Sequence, residues 1–362
     1  MSPGQLIIMG IPGPELTDSL RGFISRIQPG GFILFKRNLA SPEQIFHLIA
    51  ELRSLCHQNP VITIDQEGGR VSRLNSVTEM PPSGHELRLA GRTDWCHEHG
   101  MLTGQLLSLF GFNLDLAPVV DFSPDDNADN SLRGRCFGAD VDEVISKAGA
   151  FLKGLHHSGV LGTIKHFPGY TFAGLDPHGE LPQITRSRDE MKQTELKPFQ
   201  TFASEAAAVM VGHGHFTAWH KESFPASLSP KIIQNLLREE MGYKGLVMTD
   251  DLEMGAIANK YGAEMSTRLA VEAGNDMLLI CHNPACVEIA YDTLCSMPHA
   301  TLEQALQNIA VLRQKLSAPP QQFDRDQFKK LSAATKQLRE KVQAEIGNEI
   351  SPEKISSPVQ SM

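Results

Sequence analysis

No stretch of this chain approaches the roughly 18 consecutive apolar residues of a membrane span. The run from Leu6 to Ile11 is too short for a secretion signal and follows no basic segment, so a soluble, cytoplasmic protein is expected. Basic residues are the minority: 33 lysines and arginines against 42 aspartates and glutamates leave a net charge of −9. With no basic stripe carrying interleaved aromatics, that balance argues against a nucleic-acid partner. Cysteine is sparse. Cys56, Cys96, Cys136, Cys281, Cys286 and Cys295 show no CxxC spacing and read as reduced, mostly buried thiols. A phosphate-binding loop is also missing: Gly68-Gly69 belongs to neither a GxxxxGK[ST] nor a GxGxxG pattern.

What the chain does have is apolar material and a regular alternation. Hydrophobic residues make up 41% of its 362 positions, ample for a sizeable core. Short apolar runs at 5–9, 31–35, 61–65, 113–119, 162–166, 208–213, 245–250 and 276–281 read as strands. Helical patterns lie between and after them, at about 14–27, 42–56, 92–110, 142–158, 188–205, 229–241, 263–273 and 284–297. Eight βα units in order argue for an α/β fold, a closed (β/α)8 TIM barrel in one domain over residues 1–300. Two charged, alanine-rich helices at 301–317 and 325–346, split by Pro319-Pro320, read as a C-terminal extension packed on the barrel, with a dimerisation arm as the alternative. The polar residues 347–362 read as a disordered tail. Long segments at 66–91 and 120–141 follow the third and fourth strands, on the face where barrel enzymes build their sites.

Chemistry concentrates at the strand ends. The third runs into DQEGGRVSRL, with Asp65, Gln66, Glu67, Arg70 and Arg73; the fourth closes at Asp121, the sixth at His213, the seventh at Asp250-Asp251. The fifth leads into KHFPGYTFAGLDPHGELP (165–182), where glycines and prolines forbid a regular helix and Lys165, His166, Asp176 and His178 share one segment. In Asp176-Pro177-His178 a carboxylate two residues from an imidazole can orient the ring and favour its protonated form, as a general acid/base requires. One such group could be a cap, or a histidine of an ordinary surface loop; five adjoining strand ends together point to a site. Cys96-His97-Glu98-His99 lacks helical i, i+4 histidine spacing and reads as structural.

These motifs resemble those of bacterial single-domain N-acetyl-β-D-glucosaminidases of glycoside hydrolase family 3. The resemblance rests on DQEGGRVSRL (65–74), RCFG (135–138), KHFPG-x6-D-x-H-x3-P (165–182), ELKPF (195–199), VMVGH (209–213), PASLSP (225–230) and GLVMTDDLEM (245–254). By position it implies Asp250 as nucleophile, His178 as general acid/base with Asp176 as its partner, and Asp65, Arg135, Lys165, His166 and His213 as the residues holding the sugar. Strand alternation adds that Asp250 and Asp251 should not both aim at one anomeric carbon. Arg70 reads as a brace of the turn, paired with Glu67 or Asp65. Two departures, Tyr170 for the family's histidine and Pro177 for its serine, bear on loop motion rather than on the dyad.

The implied reaction is retaining hydrolysis of a terminal β-linked N-acetylglucosamine through a covalent glycosyl-enzyme, with peptidoglycan recycling fragments as substrate, no cofactor and no metal. The expected partner is that carbohydrate alone, with no nucleic acid or membrane, on a monomer or weak dimer. Two alternatives stay open. One is a β-N-acetylglucosaminide phosphorylase, since a neutral histidine base repels phosphate less than a carboxylate does. The other is a non-catalytic barrel that binds cell-wall sugars.

Overall fold

The computed structural model describes residues 2–125, 130–173 and 181–347. Eight parallel strands form one sheet: β1 (Ile7–Gly10), β2 (Gly31–Leu34), β3 (Val61–Ile64), β4 (Leu114–Asp115), β5 (Leu161–Phe167), β6 (Ala208–Val211), β7 (Leu246–Thr249) and β8 (Leu278–Ile280). They neighbour one another in chain order, with β8 also beside β1. A parallel bridge between Met248 and Met277 joins β7 to β8, and the Thr249 and Leu252 amides donate to the Met277 and Leu279 carbonyls, which closes the barrel. Strands covered on both faces need apolar residues at successive positions. Ile7, Ile8, Met9, Phe32, Val61, Ile62, Val247 and Leu278 supply them, all fully buried.

Each of the eight expected strands is present; seven are shorter than their apolar runs, and the fifth is longer, Leu161–Phe167 against 162–166. The fourth differs most. Pro118 has no N–H to give a ladder, so regular pairing stops at Asp115 and resumes only as a bridge from Val119 to Lys165. The sixth and seventh stop at Val211 and Thr249, which leaves His213 and Asp250 just beyond their ends at the barrel's C-terminal mouth, with the Asp250 N–H still on the Val211 carbonyl at 3.0 Å.

The segment after β3 is ordered. It makes a hairpin of Gln66–Gly68 with Val71–Ser72, turning through Gly68 (φ 107) and Gly69 (φ 52). A Cβ at either glycine would run into Pro82 or Ser83, so the backbone approach and the left-handed conformation both require glycine. Helix Arg325–Ile346 buries Leu331, Thr335, Leu338 and Val342, a single stripe, against helices Thr93–Phe110 and Gly84–Ala90. Ahead of it Phe323 stacks on Phe110 at 5.9 Å. All six cysteines are free; Cys96, Cys136 and Cys281 are buried and Cys295 is exposed. Among the described residues no helix is long and apolar enough to cross a membrane.

His99, on helix Thr93–Phe110, ties this outer layer to the site. Its Nε2 donates to the Glu67 carbonyl at 3.0 Å, and burial pushes its pKa down to about 4. Between pH 6.5 and 4 the unfolded chain therefore takes up a proton that the folded chain refuses, so stability falls as pH falls through that window. The loss attributable to His99 should be on the order of 3 kcal/mol. Urea unfolding of wild type and His99→Gln, which keeps a donor for Glu67, should show a flatter pH dependence in the variant; parallel curves would discard the assignment.

Candidate active site

At the C-terminal mouth the strand ends converge on one cavity, floored by Ile33, Leu116, Met210 and Leu279 and walled by Asp65, Arg73, Arg135, Lys165, His166, Asp250, Asp251 and His282. Aliphatic groups below and ionised groups above suit a ligand with one apolar body and many hydroxyls.

The ionised groups form a paired lattice. Lys165 Nζ lies 2.8 Å from Asp65 Oδ1 and 2.7 Å from Glu67 Oε1. Arg135 grips Glu67 with two parallel bonds, Nε to Oε2 at 2.8 Å and Nη2 to Oε1 at 2.7 Å. Arg73 approaches Asp65 Oδ2 at 3.4 Å. Burial disfavours charge on each of these groups, but the partners outweigh it. Arg135 and Lys165 hold the Glu67 carboxyl far below the usual range, and Lys165 and Arg73 hold Asp65 down. Reciprocally, the two carboxylates hold the Lys165 ammonium above its ordinary value. Asp65, Glu67, Arg135 and Lys165 are thus ionised at neutral pH, with short charge-assisted bonds fixing each side chain.

A second network fixes His166. Asp121 Oδ2 faces His166 Nδ1 at 2.9 Å and accepts its main-chain N–H at 3.1 Å, while Oδ1 accepts the Tyr170 N–H at 2.6 Å. Arg135 Nη2 reaches His166 Nε2 at 3.4 Å; a guanidinium only donates, so the ring proton belongs on Nδ1. Tyr170 stacks on His166 at 5.2 Å and its hydroxyl accepts the His213 N–H. A Cβ on Gly212 would run into that phenol. The tyrosine that departs from the family pattern is therefore a buried brace between the ends of β5 and β6.

His213 is brought to the site but not into the cavity wall. It is fully buried, its Nε2 donates to the Asp251 carbonyl at 2.8 Å, and its Nδ1 meets Ser227 Oγ at 2.7 Å. Both ring nitrogens are occupied by protein. Arg70 donates to the Ser131 carbonyl at 2.7 Å, and Arg73 lies against Asp65.

Asp250 and Asp251 both line the cavity, contrary to the alternation expected of a strand. The reason is that β7 ends at Thr249, so the two residues occupy a turn where alternation no longer applies. Their surroundings separate them. Asp251 accepts the Glu253 N–H on Oδ1 at 3.1 Å and faces His282 Nε2 on Oδ2 at 3.3 Å. Asp250 accepts the Asp251 N–H on Oδ1 at 2.8 Å, and its Oδ2 has no protein partner among the described residues. One carboxylate is braced; the other keeps an oxygen unpartnered among the described residues.

Asp176 and His178 lie outside the described residues. Among the described residues no group of three or more histidines, cysteines, aspartates or glutamates is placed to hold a metal ion. Glu67, Asp121 and Asp251 stand among the polar strand ends of the sequence without an assigned role, and His282 is not among them. For Glu67 the signal was present, two positions after Asp65 in the DQEGG turn; for His282, the first residue after Cys281, there was only its place beyond a strand end.

Comparison with known proteins places this geometry. The model of the glycosyl hydrolase family 3 N-terminal domain matches residues 3–317. A β-hexosaminidase of Stenotrophomonas maltophilia (strain R551-3) is 33% identical over 315 residues, covering 85% of this chain and 90% of that protein. Among solved structures, a family 3 β-N-acetylglucosaminidase from Paenibacillus sp. FPU-7 superposes with a TM-score of 0.85 at 32% identity, over 93% of this chain and 68% of that one. NagZ from Neisseria gonorrhoeae superposes with a TM-score of 0.79 at 27% identity, over 92% and 97%.

Proposed function

Because the chain belongs to glycosyl hydrolase family 3, we propose that it is a retaining exo-β-N-acetylglucosaminidase that takes Asp250 as nucleophile. The observation that carries this reading is Asp250 Oδ2, which has no partner among the described residues, in a cavity whose other carboxylates are engaged. In the first step Oδ2 forms a bond to the anomeric carbon as the glycosidic bond breaks, and the leaving oxygen takes the proton of His178. In the second, His178 removes a proton from water, water attacks the same carbon, and Asp250 leaves as carboxylate. Asp176 is assigned to stabilise the imidazolium.

Asp65, Lys165, Arg135 and His166 are the proposed sugar-holding groups. Their mutual ion pairs fix their rotamers, so little order is lost when a hydroxyl or amide joins them. The resemblance assigns His213 to the same task. Its two occupied ring nitrogens favour a supporting place instead, holding the turn that carries Asp251. The proposed natural substrates are N-acetylglucosamine-terminated fragments of cell-wall glycan met in the cytoplasm.

A site built to hydrogen-bond a group rejects analogues that lack it, because its polar atoms are left unpaired. The 4-nitrophenyl N-acetyl-β-glucosaminide should be cleaved at least about 100-fold better in kcat/KM than the β-glucoside, equivalent to about 2.7 kcal/mol. Assay of both glycosides, chitobiose and an anhydro-muropeptide at one pH tests this. Equal efficiencies on the two aryl glycosides would mean that the sugar has been assigned wrongly.

A further inference from the structure

Placing two carboxylates side by side in one cavity is costly, because each disfavours the charge of the other. Here the second is tied into a chain of contacts that begins elsewhere in the barrel. Arg37, just beyond β2, donates from Nε to the Ile11 carbonyl at 2.9 Å and from Nη2 to the Cys281 carbonyl, which anchors it to the ends of β1 and β8. Its Nη1 lies 3.2 Å from His282 Nδ1. A guanidinium only donates, so Nδ1 accepts and the ring hydrogen sits on Nε2, which lies 3.3 Å from Asp251 Oδ2. Phe35 packs against both members, 5.3 Å from the His282 ring and 4.6 Å from the Arg37 guanidinium.

From these contacts we infer that Arg37, His282 and Asp251 form a positioning relay for the nucleophile, a role that rests on the reading of Asp250 given above. The relay holds Asp251, whose carbonyl is gripped from the opposite side by His213. Asp251 in turn places its N–H on Asp250 Oδ1, which leaves Oδ2 as the attacking oxygen. The same chain brings the Arg37 charge to bear on Asp251, offsetting the repulsion between adjacent carboxylates. His282 lines the cavity, yet both its nitrogens face protein; it is a positioning residue, not a proton donor to the substrate. Because β1, β2, β7 and β8 meet at this seam of the barrel, the relay couples the nucleophile's aim to barrel closure.

Aim matters in the transition state more than in the ground state, so damage to the relay should appear in kcat. His282→Ala should lower kcat about 30-fold on the aryl N-acetylglucosaminide while KM stays within about 3-fold. His282→Gln can still offer an N–H to Asp251 and an oxygen to Arg37, and should recover most of that loss. His282→Leu, which keeps the volume but neither contact, should behave like alanine, and serves if the alanine variant melts early. A kcat within about 3-fold of wild type for both the alanine and leucine variants, a glutamine variant no better than these, or a loss confined to KM would each overturn the relay. The variant-to-wild-type ratio is read on whichever glycoside the wild-type protein cleaves best. Preference for another sugar therefore refutes the substrate assignment and leaves the relay to be judged, whereas wild-type protein inert on the whole panel refutes both.

Discussion

Asp250→Asn is expected to lower kcat on an aryl N-acetylglucosaminide by at least about four orders of magnitude while binding of N-acetylglucosamine stays within a few-fold of wild type. The substitution is nearly isosteric. It can keep an oxygen for the Asp251 N–H, but it replaces the unpartnered Oδ2 with an amide nitrogen that cannot attack carbon. Asp251→Asn is the informative control. It leaves the Asp250 carboxyl in place and retains an acceptor for the Glu253 N–H, so it should cost far less than Asp250→Asn. If the two losses came out in the reverse order, the nucleophile would be Asp251 and the free oxygen of Asp250 would have another use. Steady-state kinetics with calorimetric titration of the sugar separate these outcomes.

The largest effect on stability is expected at Glu67. This carboxylate is the shared counter-ion of Lys165 and Arg135, and all three side chains are nearly excluded from solvent. Breaking a buried ion network by removing one partner leaves uncompensated charge, which costs about 3–5 kcal/mol. Glu67→Ala should therefore unfold at markedly lower urea concentration than wild type, and it should lose activity even where it remains folded, because Lys165 and Arg135 are freed to swing. The pH dependence supplies a second check. A carboxylate with a depressed folded pKa contributes stability that is complete above its unfolded value near 4 and is lost as pH falls below it. That acid slope should be shallower in the variant. A Glu67→Ala protein as stable as wild type across pH 3–7 would mean that water reaches these cations.

Much of the barrel could be read from the chain because its determinants are local. Eight apolar runs spaced by helical periodicity leave few ways to bury both faces of each strand, and Asp65, Lys165 and Asp250 stand at strand ends in any closed version of that alternation. Other features escaped for want of a local signal. Pro118 shortens the fourth strand through a missing N–H that counts only once a partner strand is known. Glu67 reads as a turn residue until Arg135 and Lys165, far along the chain, are brought against it. His213 ends an apolar run just as a sugar-binding residue would; only the positions of Ser227 and the Asp251 carbonyl reveal that its nitrogens are taken.

The division follows from the range of the forces involved. Periodicity, turn glycines and motif spacing act over a few residues, and they set the βα order, the face where polar strand ends gather and the pair of adjacent aspartates at its edge. Hydrogen-bond satisfaction and charge compensation act between residues distant in the chain. Which of those aspartates keeps an unpartnered oxygen among the described residues depends on such distant contacts: the imidazole of His282, from beyond β8, faces Asp251 and not Asp250.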